Sequence, residues 1–376
     1  MSGRAATRLR LFFRALLRAP WRRAQKPEAP ATVLVAHHLL LGDTLMLAAL
    51  FAALRARWPQ ARLLTTCPPA FLPLFAAHPW GVEAITYDPR RPETLAPLLA
   101  QCADGVDLAL LPGDNRFALL ARACGARWIA AFAGDTPGWK NCLCDELLPW
   151  PEIPRALADI FAGLSGAVPP PYAPGDWPAP PRPETFVSPA GRYALLHLGA
   201  GNALRRWPPG HWRALAQAFA ENGVTPVWSC GPGEQALVSA ADPQGQFQAF
   251  AGKLDLAGLW HLVAGAALVV CLDSGVAHLA KQAARPTVCL FGQGSDVLFG
   301  RGEFFANVPF VSLIERDVPC RDQRTLFGRT LPWVRRCARR PGECADPVCL
   351  HPLTPDRVYA ACSRLLEEFP GVAVQS

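Results

Sequence analysis

Four short segments of this 376-residue chain place glycine beside charged or hydroxyl side chains, each where an apolar run gives way to a helical pattern. The first is Leu41-Gly42-Asp43-Thr44. A carboxylate there can act as a general base toward a hydroxyl. Equally, it can cap the helix that follows by accepting its free N–H groups. The second is His197-Leu198-Gly199-Ala200-Gly201-Asn202-Ala203-Leu204-Arg205-Arg206-Trp207-Pro208. Small residues such as Gly201 let a ligand approach the backbone, and Arg205 and Arg206 supply planar forks that match phosphate oxygens. The plainer reading is a glycine loop with a solvated charge pair.

The third segment is Ser229-Cys230-Gly231-Pro232-Gly233-Glu234. A carboxylate at a strand end can accept both hydroxyls of a ribose, although a glutamate opening a helix also suits the helix dipole alone. The fourth is Asp273-Ser274-Gly275-Val276-Ala277-His278. Its hydroxyl and the free N–H groups of the helix start suit phosphate. Asp273 can hold sugar hydroxyls, and His278 stands about one turn further on. A single helical histidine is most often structural, but Asp-Ser-Gly-x-x-His at a strand–helix junction is more specific. No Walker pattern, complete GxGxxG, DxD or HExxH motif is present, so a nucleoside-triphosphate loop and a dinucleotide fingerprint are poorly supported.

Positioning these segments requires alternating strands and helices. Ala31–Ala36, Arg62–Thr66, Glu83–Tyr87, Asp107–Leu111 and Trp128–Phe132 read as strands, and Thr44–Trp58, Ala70–Ala77, Glu93–Cys102 and Phe117–Cys124 as helices. Such alternation predicts parallel βαβ units and a doubly wound sheet. Residues 169–189 then hold nine prolines, a stiff linker and the clearest boundary. Beyond it the alternation restarts. Tyr193–Leu198, Thr225–Ser229, Ala267–Leu272 and Thr287–Phe291 read as strands. His211–Glu221, Glu234–Ala241, Leu256–Ala264, Val276–Ala284 and Asp356–Phe369 read as helices. The predicted layout is an extension at 1–30, a Rossmann-like domain at 31–168, a linker at 169–190, a second Rossmann-like domain at 191–353, and a helix and tail at 354–376. Two such α/β domains are expected to face each other across a ligand cleft at the carboxyl ends of their strands.

Apolar residues make up 51% of the chain and charged residues 18%, which excludes wholesale disorder. Eight of the 37 basic residues lie within residues 1–26, where there is no acid. The remainder is near neutral, which argues against a nucleic-acid partner. Arg14 and Arg18 interrupt the early apolar run, so it lacks a signal-peptide core, and no run is long enough to span a bilayer. Residues 4–23 read as a basic amphipathic helix. Leu9, Phe12, Phe13, Leu16 and Leu17 supply apolar area, and Arg10, Arg14, Arg18 and Arg22 recur every fourth residue. Such a helix suits an anionic membrane surface; a solvated basic tail is the alternative.

The 13 cysteines include Cys271 and Cys289 inside apolar strands. They read as small buried hydrophobes in a reducing compartment. Cys320, Cys337, Cys344 and Cys349 cluster late in the chain. Their gaps do not form a clean CxxC pair, so they read as unpaired thiols, with a structural zinc or iron as the alternative.

Gly42-Asp43, Arg205-Arg206-Trp207-Pro208 and above all Leu272-Asp273-Ser274-Gly275-x-x-His278 resemble the ADP-heptose:lipopolysaccharide heptosyltransferases, glycosyltransferase family 9, from about residue 31 to about 370. The resemblance implies a GT-B fold, with the acceptor mostly on the first domain and the nucleotide-sugar donor mostly on the second. It implies inverting transfer without a metal or other cofactor. Asp43 would be the base, and Arg205 would contact phosphate where the family often has lysine. Glu234 would bind ribose, and the backbone of Leu254 would recognise adenine. Ser274 and Gly275 would cradle the diphosphate, with Gly201 and Arg206 also on the donor side and Asp273 and His278 beside the donor sugar. The implied partners are an ADP-sugar, a lipopolysaccharide inner-core acceptor and the cytoplasmic face of the inner membrane. A different nucleotide sugar, a protein acceptor or a non-catalytic sugar-nucleotide-binding role are the alternatives.

Overall fold

The structure, a computed structural model, describes residues 11–15 and 25–370. The chain forms two compact units: Met1–Pro170 with Thr325–Trp333, and Pro171–Arg324 with Val334–Ser376.

Unit 1 is built on six strands: β1 (Thr32–Val35), β2 (Arg62–Cys67), β3 (Val82–Thr86), β4 (Val106–Leu111), β5 (Ala126–Phe132) and β6 (Glu146–Leu148). Its principal helices are α1 (Leu41–Met46), α2 (Ala48–Arg57), α3 (Leu95–Gln101), α4 (Ala118–Ala123) and α5 (Leu157–Ala162). Unit 2 repeats the plan with β7 (Tyr193–His197), β8 (Thr225–Cys230), β9 (Ala249–Ala251), β10 (Leu268–Leu272), β11 (Thr287–Phe291) and β12 (Phe310–Ile314). Its helices are α6 (Pro209–Glu221), α7 (Gln235–Ala241), α8 (Leu256–Ala264), α9 (Gly275–Gln282), α10 (Asp296–Phe299) and α11 (Pro355–Glu368).

Both sheets are parallel and share one topology. Unit 1 runs β3-β2-β1-β4-β5-β6 and unit 2 runs β12-β11-β10-β7-β8-β9, the same order read from the other edge. The strand order reverses between β1 and β4, and between β7 and β10. At such a switch point neighbouring loops diverge and leave room for a ligand outside the carboxyl ends of the strands. Asp43 follows β1 in the first turn of α1, and Arg205 and Asp273 follow β7 and β10, so these candidate residues come after the strands at the switch points.

Burial on both faces explains the unbroken apolar runs of the central strands. Every residue of β10 and β11 is fully buried. Burial pushes the Cys289 thiol well above its usual value. Helix α11 packs on the unit 2 core through Val358, Ala361, Cys362 and Leu365, a three–four spacing that forms one apolar stripe. Pro355 opens it, and the Arg357 N–H donates to Thr354 Oγ1 at 3.4 Å.

Several elements differ from the sequence reading. The single helix expected over Thr44–Trp58 is α1 and α2, separated at Leu47, whose N–H bonds back only three residues to the Thr44 carbonyl. The proline-rich segment is strapped to unit 2 from residue 171 onward. Tyr172 and Trp177 are buried, the Tyr172 N–H donates to the Phe304 carbonyl at 2.9 Å, and its hydroxyl donates to the Gln282 carbonyl. Residues 325–333, expected in the second domain, cluster with unit 1 as a hairpin of β13 (Thr325–Leu326) and β14 (Arg329–Thr330). Its anchor is the buried Arg329. The guanidinium donates to the carbonyls of Gly113, Phe132 and Ala133 and to Asn115 Oδ1, and lies over the Trp150 ring. Of the expected N-terminal helix, residues 11–15 are helical. Leu11 and Ala15 are buried in the unit 1 core, while Phe12 and Phe13 are more than half exposed. The rest of that helix lies outside the described residues. Among those described, no helix is long and apolar enough to cross a membrane.

Candidate functional site

Register brings four loops of unit 2 to one edge. Cys271 of β10 pairs with His197 of β7, His197 with Ser229 of β8, and Leu272 with Leu290 of β11. Two residues beyond these pairs stand Asp273, Gly199, Gly231 and Gly292, so the loops they open lie side by side. Three of the four were legible in the sequence. The fourth, Gly292-Gln293-Gly294-Ser295, was not singled out.

The contacts between these loops are specific. The Arg205 Nη1 donates to the Asp273 carbonyl at 3.0 Å and lies 3.5 Å from its carboxylate. Asn202 receives the Leu204 N–H and donates to Gln293 Oε1 at 2.8 Å. The buried Arg321 clamps the fourth loop, donating to the carbonyls of Gly292 at 2.6 Å and Gly294 at 2.5 Å. Gly294 has no room for a side chain, since a Cβ there would lie 1.8 Å from Asp273 Oδ2. Arg321 does not stand out in the sequence, where its local spacing carries no signal of this role.

Ser274 is the N-cap of α9, yet its side chain makes no cap hydrogen bond. Its Oγ is buried with no hydrogen-bond partner. The same holds for Asp273 Oδ2 and for the Nε atoms of Arg205 and Arg206. Buried polar atoms are normally satisfied, and groups left open by the protein are completed by water or by a ligand. Here the open groups are a hydroxyl, two guanidinium N–H groups and a carboxylate oxygen, at the positive end of a helix. That set can hold an anion and a neighbouring hydroxyl.

Burial pushes the Asp273 carboxyl above its ordinary value, and Arg205, then Lys281, Arg336 and Arg321, pull it back. A carboxyl raised on folding contributes stability below its unfolded value and loses it as pH climbs through the folded value. Ionised Asp273 therefore weighs against folding at neutral pH. Asp273→Asn is expected to raise the Tm at neutral pH by about 2–4 °C for each kcal/mol relieved, with the gap closing on acidification. A thermal melt series across pH checks both.

Glu234 immediately precedes α7 and is held by two loops. The Ala200 N–H donates to Oε1 at 3.2 Å and the Gly231 N–H to Oε2 at 3.1 Å, with Arg206 at 3.4 Å. Gly199 permits this approach, because a Cβ there would lie 2.2 Å from Glu234 Oε2. Gly199→Ala is expected to cost about 1–3 kcal/mol, measured by denaturant unfolding. Gly201 is exposed and its missing Cβ faces open space, so no protein contact requires glycine there. Gly275 is the first residue of α9. Leu254 is half-buried in the loop between β9 and α8, on the same edge but three strands from β10. His278 is buried in α9, and burial holds its ring well below the usual imidazole value, so it is neutral.

In unit 1, Asp43 is the third residue of α1 and half-buried. The N-cap is Leu40, which makes no side-chain cap, so Asp43 is not in the capping position that the sequence left open. An acidic group in the first turn is favoured by the helix dipole. Beside it, buried Thr44 Oγ1 lacks a partner. Ahead of α1, His37 is buried and neutral, its value lowered to about 3 by burial and then by the neighbouring His38 charge. His38 lies 3.5 Å from Asp88, in the loop after β3.

The late cysteines lie in unit 2, with Cys349 buried and Cys320, Cys337 and Cys344 half-buried. Burial, then the neighbouring Cys337, raises the Cys320 thiol. Among the described residues, no group of three or more His, Cys, Asp or Glu side chains is arranged to hold a metal ion.

Comparison with known proteins bears on both units. The model of glycosyltransferase family 9 (heptosyltransferase) matches residues 152–330. Lipopolysaccharide heptosyltransferase 1 of Pseudomonas aeruginosa is 28% identical over 186 residues, covering 48% of this chain and 50% of the relative. The protein of the same name from Escherichia coli K12 is 27% identical over 129 residues, 33% of this chain and 40% of the relative. The chain thus spans half or less of the length of these curated relatives. Among solved structures, E. coli ADP-heptose lps heptosyltransferase II superposes with a TM-score of 0.68 at 20% identity, over 90% of this chain and 100% of that one. E. coli heptosyltransferase WaaC with ADP gives 0.64 at 17% identity, over 89% and 99%. The likeness to these structures is one of fold, the paired Rossmann-like sheets of the GT-B class.

Proposed function

We propose, on the premise that residues 152–330 belong to glycosyltransferase family 9, that the chain is a heptosyltransferase of lipopolysaccharide synthesis. It would move heptose from ADP-heptose to an inner-core acceptor, with inversion and without a metal. What carries the reading is the set of open polar groups on the loops that follow β7 and β10: Ser274 Oγ, Asp273 Oδ2 and the Nε atoms of Arg205 and Arg206. A nucleoside diphosphate sugar offers the matching chemistry, with phosphate oxygens for the donors and sugar hydroxyls for the carboxylate.

In the proposed reaction an acceptor hydroxyl oxygen attacks the anomeric carbon. Asp43 takes the hydroxyl proton as the new C–O bond forms. The bond from the anomeric carbon to the diphosphate breaks, and its electron pair leaves with ADP. Arg205, Arg206 and the free N–H groups of α9 stabilise the charge that develops on the leaving diphosphate. Glu234, fixed by two backbone N–H groups, retains lone pairs for ribose hydroxyls, and the backbone of Leu254 would read the adenine. His278 would contact the donor sugar. Cys320, Cys337, Cys344 and Cys349 take no part in this reaction and need bind no metal for it.

The test is incubation of the full chain with ADP-heptose and heptose-deficient lipopolysaccharide, with the product weighed by mass spectrometry. A gain of one heptose supports the reading. Turnover only with another nucleotide sugar or a protein acceptor, or ADP-sugar binding without transfer, would replace it with one of the alternatives.

The proposal also places the protein on the inner face of the inner membrane, held by its basic N-terminus. The support is the exposed Phe12–Phe13 pair within a segment holding eight basic residues and no acid. Deleting residues 1–26 is expected to abolish co-sedimentation with anionic vesicles. Undiminished binding of the truncated chain would refute that assignment.

A further inference from the structure

Lys281 is a fully buried lysine on α9, seven residues after Ser274. Its Nζ donates to the Phe299 carbonyl at 2.7 Å and to the Gly300 carbonyl, at the end of α10. It also lies 3.4 Å from His278 Nδ1, one turn earlier on the same helix. The ammonium sits over the Phe310 ring at 4.5 Å and beside Phe305 at 5.7 Å, an arrangement that favours the charged form. Nothing in the sequence singles this lysine out.

An ammonium has three N–H bonds and no lone pair. Two of those bonds are directed at carbonyls, and none of its nitrogen electrons can accept a proton from the ring. The contact with His278 therefore has one polarity: Lys281 donates and Nδ1 accepts. A neutral imidazole that accepts at Nδ1 carries its proton on Nε2. The ring makes no other hydrogen bond among the described residues. That leaves an Nε2–H to donate, on a residue four positions after the N-cap Ser274 and so on the same side of α9.

We infer that Lys281 is a positioning residue that fixes the neutral His278 ring in its Nε2–H tautomer, so that the ring meets a bound sugar or phosphate oxygen as a hydrogen-bond donor. The same ammonium also draws the Asp273 carboxyl down electrostatically. The identity of the ligand rests on the proposed glycosyltransferase reading; the tautomer does not.

The test is long-range proton–nitrogen correlation on the full chain labelled with ¹⁵N-histidine, without ligand at neutral pH. A His278→Gln sample assigns the resonance. The expected result is an unprotonated Nδ1 and a protonated Nε2 in the wild type. Lys281→Met is expected to give a mixture of tautomers, and Lys281→Arg, which keeps a donor, to restore Nε2–H. A wild-type ring protonated on Nδ1 overturns the inference even if neither Lys281 variant folds, as does a pure Nε2–H ring in Lys281→Met. Since no ligand is present, that failure is distinct from a failure to transfer heptose.

Discussion

Asp43→Asn is expected to lower the rate of sugar transfer about 10³-fold, with ADP affinity unchanged. The substitution keeps shape and removes the ability to take a proton. A hydroxyl is a weak nucleophile until a base accepts its proton in the transition state, so the loss falls on kcat. Asp43 lies in the first turn of α1, where negative charge suits the helix dipole. Asp43 lies in unit 1 and the donor-side groups in unit 2, so ADP binding provides an internal control. Turnover kinetics and calorimetric ADP titration separate the two effects. Undiminished turnover in Asp43→Asn would remove this residue from the role of base.

Arg205→Ala is expected to reduce kcat/KM about 10²–10³-fold, the usual loss when a donor to a developing oxyanion is deleted. Two effects combine. The guanidinium is proposed to meet the leaving diphosphate, and its Nη1 holds the Asp273 carbonyl at 3.0 Å. It is also the strongest charge opposing the upward push of burial on the Asp273 carboxyl. Without it that carboxyl rises further, so activity in the variant should fall at a higher pH than in the wild type. Arg205→Lys keeps the charge and loses the fork, and should retain more activity than Arg205→Ala. A pH–rate profile of the three proteins checks the ordering. Equal profiles for wild type and Arg205→Ala would exclude both effects.

The parts of the fold that were legible in sequence are those where one physical signal dominates. Fully buried parallel strands such as Leu268–Leu272 appear as unbroken apolar runs. Strand–helix junctions announce themselves because glycine and polar residues interrupt those runs. Strands β6 and β9 are three residues each, too short for a pattern. The return of residues 325–333 to unit 1 depends on Arg329 meeting five oxygens supplied by residues nearby and far earlier in the chain, which local sequence does not encode.

The site divides along the same line. Arg205, Glu234, Asp273, Ser274 and His278 were visible as types and spacings. Their supports were not. Lys281 and Arg321 look like surface charges until burial is known, and Gly294 matters only because Asp273 lies where its Cβ would be. Asp43 was found for its charge, but its place at the third position of α1 rather than the N-cap required coordinates.

The central claim is that the opening of α9 is a diphosphate site, and a crystal structure of the full chain grown with ADP tests it most directly. The account predicts phosphate oxygens within hydrogen-bond distance of Ser274 Oγ and the Gly275 N–H, with Arg205 alongside. ADP seated elsewhere, with Ser274 Oγ still unpartnered, would contradict it.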